Sequence, residues 1–169
     1  MAFTQPCFIR KNTPELRKKL EELGYTNGAW ESPHFEYPYL MCFPNRKFGL
    51  FKGEGFYMTE DDYRCDGERW TYNPPKEYID CGTNEELFIS IAALRNDTDK
   101  EQWFITYKSS HPYMSYAAIL CRENKWEDEY IKETQQHNFI YTKPEDYHKA
   151  GVEELIKFHE DDEKDLNED

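Results

Sequence analysis

Hydrophobic positions along the chain fall into short runs of two different periods. Leu16, Leu20 and Leu23 recur at helical spacing, with Thr13-Pro14 before them and Gly24 after. That pattern predicts a helix over 14–23, capped by Thr13 and closed by Gly24. Glu15 suits the dipole at its start, whereas Glu21 and Glu22 oppose it at the end, so packing of the leucine stripe must sustain this helix. Cys7-Phe8-Ile9-Arg10 reads as a short strand ahead of it. Residues 25–34 read as a loop. Phe35, Tyr37, Tyr39, Met41 and Phe43 then alternate with other residues, which predicts a strand with one ring-rich face. Pro38 points to an edge position or a bulge there. A turn at 44–47, a strand around 48–51, the break Gly53-Glu54-Gly55 and a strand at 56–58 extend this into an antiparallel meander. Residues 60–76 form an acidic, irregular excursion in which Trp70 and Tyr72 mark a short strand.

The most apolar stretch is 78–94. Tyr78-Ile79-Asp80 reads as a strand and Cys81-Gly82 as a tight turn. Thr83 with Glu86 three residues on has the form of a capping box. Leu87, Ile91 and Leu94 follow at i, i+4 and i+7, with Phe88 and Ala92 widening the stripe, so this helix is expected to be largely buried. After the polar break Asn96-Asp97-Thr98-Asp99, residues 102–107 read as a strand. Residues 113–122 suit a helix through Tyr116, Ala117 and Leu120 or a strand through 118–121, and the strand is preferred. A further strand is expected at 138–141. Val152, Leu155, Ile156 and His159 mark one face of a final helix. The expected architecture is a single α+β domain over 1–160, a mainly antiparallel sheet with two or three helices on one face, followed by a disordered acidic tail at 161–169. Three segments share the form strand, turn, helix, at 8–16, 78–87 and 149–155. Common capping chemistry accounts for that likeness without internal duplication.

Composition changes the picture in two ways. Only 38% of residues are hydrophobic, but 13 Tyr, 11 Phe and 4 Trp supply bulk, so a core built from rings is expected. The net charge is −13, and from 153 to 169 nine acids stand against only Lys157 and Lys164. Such a balance argues against direct nucleic-acid binding and against docking on anionic lipid, both of which need clustered Lys and Arg. No apolar run approaches the roughly 20 residues of a spanning helix. The first residues lack the basic start and apolar run of a signal peptide, so a cytoplasmic location is expected. Five widely spaced cysteines (7, 42, 65, 81, 121) contain no C-x-x-C pair, which fits free, mostly buried thiols rather than zinc or disulfide frameworks.

Three blocks carry a resemblance. Residues 7–16, the segment Ile79-Asp80-Cys81-Gly82-Thr83-Asn84-Glu85-Glu86-Leu87-Phe88 with Asp97-Thr98-Asp99 and Gln102-Trp103-Phe104, and His148-Lys149-Ala150 with 152–156 resemble small uncharacterised proteins of phages and mobile elements of gut bacteria. The blocks cover a minority of the chain. That group has no established activity, so the resemblance supplies no functional residues. It implies a setting: a phage or mobile-element product acting inside a bacterial cell.

The candidate chemistry centres on Cys81. A thiol beside a helix N-terminus can become a nucleophile. No His or basic residue adjoins it in sequence and Asp80 opposes a thiolate, so a structural thiol is the expectation. The backbone of Gly82-Thr83-Asn84 offers N–H groups to an anion, yet capping explains these residues and no phosphate-loop pattern accompanies them. The five histidines form no H-x-x-x-H pair, and Asp97-Thr98-Asp99 lacks the Gly and Glu of a calcium loop. No catalytic residue, metal ligand or cofactor is assigned. Two function classes follow. The first is a non-enzymatic interaction protein that binds a host or phage protein, in its specific form an acidic inhibitor of a host nucleic-acid-binding or defence protein. The alternative is a small ligand-binding domain or enzyme with an aromatic-lined pocket near Cys81 and Trp103, its ligand held by Cys81, Gly82, Thr83, Asn84 and Trp103.

Overall fold

A computed structural model describes residues 3–28, 38–44, 55–59, 78–106, 117–121 and 147–166. The segments 35–37, 48–51, 60–77, 107–116, 123–137 and 138–141, with the elements expected on them, lie outside the described residues. The chain folds as two compact units, Met1–Asp97 and Thr98–Asp169. Among the described residues are three helices, a five-stranded mixed sheet and a three-stranded antiparallel sheet, an α+β fold as expected.

The first unit contains β1 (Cys7–Ile9), α1 (Pro14–Leu23), β2 (Thr26–Asn27), β3 (Leu40–Pro44), β4 (Gly55–Thr59), β5 (Ile79–Asp80) and α2 (Glu85–Ala92). Its sheet has the order β2-β4-β3-β1-β5. β1 and β4 flank β3 in antiparallel register, while β5 joins β1 and β2 joins β4 in parallel. Side chains alternate across each strand, so register sorts the residues into two faces. Phe8, Met41, Phe43, Phe56 and Met58 share one face and form a buried cluster with Tyr78. Within it the cross-strand partners Phe43 and Phe56 stack at 5.0 Å, and Tyr78 meets Phe43 edge-on at 5.2 Å. Cys7, Ile9, Leu40, Cys42 and Tyr57 share the other face. That face looks toward the helices, because the Tyr57 hydroxyl donates to Glu21 of α1 at 2.7 Å.

β3 departs from expectation in an instructive way. Its ring-bearing positions lie together, but the alternate positions Leu40 and Cys42 are buried as well. It is an interior strand, and Pro38 lies before its first residue, where a missing N–H breaks no ladder bond. Part of the loop expected after α1 is also paired, since Thr26 and Asn27 lie alongside Phe56 and Tyr57.

α1 forms as its sequence dictates. The Leu16 N–H donates to Thr13 Oγ1 at 3.1 Å, and Pro14 fills the first turn. Gly24, at φ +112°, turns the chain out, while the N–H groups of Gly24 and Tyr25 satisfy the carbonyls of Glu21 and Leu20. The Tyr25 hydroxyl then donates to the Ala92 carbonyl at 2.6 Å, tying the end of α1 to the end of α2. Phe3 stacks on the Tyr25 ring at 4.0 Å and covers this junction.

The second unit contains β6 (Gln102–Thr106), β7 (Ala117–Cys121), β8 (His148–Lys149) and α3 (Val152–Leu166). β6 lies between β7 and β8 and is antiparallel to both. The strand preference at 117–121 is therefore met. α3 buries Leu155 and His159 and continues to Leu166, past the point where the apolar pattern stops. Glu154 starts it by accepting the Gly151 N–H at 3.0 Å on one oxygen and His148 Nε2 at 2.6 Å on the other. Each of the three strand–turn–helix segments read from the sequence is thus present.

Candidate functional site: the Cys81 turn and the thiols beneath it

Residues 80–87 form a tightly bonded connection between β5 and α2. Gly82 takes φ +58°, a left-handed conformation that favours glycine. The Asp80 carboxylate accepts the Gly82 N–H at 2.8 Å, and the Cys81 carbonyl accepts the Asn84 N–H at 3.0 Å. Arg10 secures the turn from β1: its N–H donates to the Gly82 carbonyl at 2.7 Å, its guanidinium pairs with Asp80, and it lies over the Phe8 ring. That hydrogen bond to Asp80 raises the Arg10 pKa.

The capping box expected from Thr83 and Glu86 is not formed. Asn84 is the N-cap, its side chain accepting the Leu87 N–H at 3.0 Å. The turn closed by Asn84 onto Cys81 moves the helix start one residue on, and asparagine caps at least as well as threonine. Position N3 is then Leu87, which has no acceptor to reach back with, and Thr83 is exposed.

This geometry bears on anion binding. Of the N–H groups at the turn, those of Gly82, Asn84 and Leu87 are already bonded. Arg10 and Lys11 are paired with Asp80 and Glu85 at the same helix end and Glu86 adds a further carboxylate, so no surplus of positive charge draws an anion there.

Beneath the turn the Cys81 side chain points inward and is 3% exposed, with Sγ 3.8 Å from the Ile79 carbonyl oxygen. It meets the Cys7 thiol, which also meets Cys42, its cross-strand partner on β3. Three cysteines far apart in sequence are thereby gathered between the sheet and the helices, close to the Tyr25 phenol. Burial, followed by the contact with Cys42, pushes the Cys7 pKa well up. For Cys81 the hydrogen bond with Cys7 comes first, then burial, and both push upward. Burial likewise raises Tyr25. These groups are protonated at neutral pH, and a protonated buried thiol is a poor nucleophile. Among the described residues no group of three or more His, Cys, Asp or Glu side chains could hold a metal ion.

Trp103 belongs to the second unit, whereas Cys81, Gly82, Thr83 and Asn84 belong to the first. Its ring packs on those of Phe158 and His159 at 5.2 and 5.7 Å. Asp97 and Asp99 are engaged by neighbouring cations. Arg95 makes two 3.0 Å bonds to Asp97 and lowers its pKa, and Lys149 lies 3.2 Å from Asp99.

Sequence reasoning singled out Cys81 and missed Cys7, Cys42 and Tyr25. One signal was available: each of the three cysteines sits in or beside a short apolar strand segment. Pairing those segments is a matter of register, which spacing alone does not reveal. Compared with known proteins, the chain matches no family model, no curated protein and no solved structure.

Proposed function

We propose that this chain is a non-enzymatic interaction protein of a phage or mobile element, acting in the cytoplasm of its bacterial host. Its partner is a host nucleic-acid-binding or defence protein, engaged through carboxylates that stand in for phosphates. The observation that supports this reading is the form of the acidic C-terminal segment. α3 spans Val152–Leu166 and includes seven acids, five of them between Glu160 and Asp165, against Lys157 and Lys164. At 1.5 Å rise per residue, the five acids at 160–165 less Lys164 leave roughly one net charge per 2.3 Å of axis. Duplex DNA presents about one per 1.7 Å. Consecutive acids on a helix also wrap around the axis, at about 100° per residue, so charge faces several directions, as it does on a duplex. The protonated thiols under the Cys81 turn weigh against a nucleophilic enzyme at that position.

The test is affinity capture from bacterial lysate by the full chain and by a chain ending at Glu160, with mass spectrometry of proteins and extracted small molecules. The reading predicts a nucleic-acid-binding protein that the full chain retains at low salt, releases as salt rises, and that the shortened chain holds far more weakly. Recovery of a bound metabolite with no protein partner would contradict it.

A further inference from the structure

The cross-strand pairing of Cys7 with Cys42 has a use beyond packing. Directly opposed residues of an antiparallel pair have Cα atoms about 4.5–5.5 Å apart, within the roughly 4.4–6.8 Å that a disulfide spans. Cys7 and Cys42 are such a pair, and their side chains share one face of the sheet. Cys81 is placed differently. The parallel neighbour of Cys7 is Ile79, and Cys81 lies two residues further along. That offset adds about 7 Å along the strand to about 4.8 Å across it, beyond the disulfide range. The sheet therefore selects Cys42 rather than Cys81 as the partner of Cys7.

We propose that Cys7 and Cys42 form a reversible cross-strand disulfide that locks β1 to β3 when the chain meets a small-molecule disulfide such as oxidised glutathione. As the strands open transiently, the Cys7 thiolate attacks one sulfur of the glutathione disulfide. A mixed disulfide forms and one glutathione thiolate leaves. The Cys42 thiolate then attacks the Cys7 sulfur and expels the second glutathione. The two protons lost by the cysteines go to the two departing thiolates, so two protein thiols are oxidised and one external disulfide is reduced. The lock closes a loop that spans α1 and β2, which restricts the unfolded chain while requiring little movement in the folded one.

The experiment incubates the full chain with oxidised glutathione in urea just below its unfolding midpoint, where strands open and reclose and burial presents no barrier. After the urea is removed, non-reducing peptide mapping and thermal melts are recorded. The expected result is a single Cys7–Cys42 linked peptide and a melting temperature higher by at least about 5 °C, both reversed by dithiothreitol. Cys81→Ser keeps both effects, and Cys42→Ala loses both. Because the mapping is done on the unsubstituted chain, the outcome does not depend on how well a variant folds. The proposal is overturned if all five thiols remain free, if the linkage involves Cys81, Cys65 or Cys121 instead, or if the pair forms without any rise in melting temperature.

Discussion

Raising the pH should unfold the first unit well before the tyrosines of an ordinary protein would titrate. Cys7 is pushed upward by burial and then by Cys42, Cys81 by its hydrogen bond with Cys7 and then by burial, and Tyr25 and Tyr57 are raised by burial as well. Their folded values lie above their unfolded ones. The stability they contribute is therefore whole below the unfolded pKa and declines as pH climbs above it. For a thiol that ordinarily titrates near 8.5, holding the proton at pH 10 costs about 2 kcal/mol. For a phenol near 10 the cost at the same pH is about 0.4 kcal/mol. Two of each give a loss of about 4–5 kcal/mol between pH 8 and pH 10, a large share of the roughly 5–15 kcal/mol that a domain has. The assay is urea denaturation followed by circular dichroism at both pH values, with reductant present throughout. The Cys7→Ala/Cys81→Ala double variant should retain only about 1 kcal/mol of that pH dependence. A loss below about 1 kcal/mol in the unsubstituted chain, or an undiminished loss in the double variant, would refute the reasoning.

Three substitutions probe the rest of the first unit. Asn84→Ala should cost about 1 kcal/mol by removing the cap on Leu87, while Thr83→Ala changes stability by less than about 0.5 kcal/mol. Denaturation curves for the two variants that came out in the reverse order would restore Thr83 as the cap. Leu87→Ala should cost about 2–5 kcal/mol, because its side chain is buried on α2, and an unchanged melting temperature would mean that this face is not packed. Gly55→Ala should destabilise by about 1–3 kcal/mol, since a Cβ there would come within 2.8 Å of Tyr25 Cε1 and 2.9 Å of the Phe43 carbonyl oxygen. Equal melting temperatures for Gly55→Ala and the parent would show that the Phe3–Tyr25 pair yields without cost.

How much of this was legible in the sequence depends on whether the determining interaction is local. α1 was readable at both ends because Thr13, Pro14 and Gly24 act within one turn of where they stand. The cap of α2 was misread by one residue. Thr83 and Asn84 are both good caps, and what selects Asn84 is the turn made by Cys81 and Gly82. The ring-bearing positions at 39–43 marked a strand with one apolar face, but Leu40 and Cys42 between them are apolar as well, and the strand's interior place in the sheet covers both faces. β2 was missed because two residues carry no period. In the second unit, the apolar face of α3 stops at His159 while the helix runs to Leu166. Hydrophobic spacing reports where a helix packs, and it says nothing of where the helix ends. The thiol cluster is the clearest case. Cys81 could be noticed from the turn beside it, but its companions are set by the β1–β3 and β1–β5 registers.

The proposed mimicry makes duplex DNA a competitor for the partner's binding site. Once a partner has been captured, duplex DNA is titrated into the complex while release of this protein is followed, alongside the salt dependence of the affinity. The account predicts that DNA displaces the protein and that affinity falls steeply as salt rises. It would be contradicted by a complex in which the partner binds DNA and this protein together, with an affinity that salt leaves unchanged.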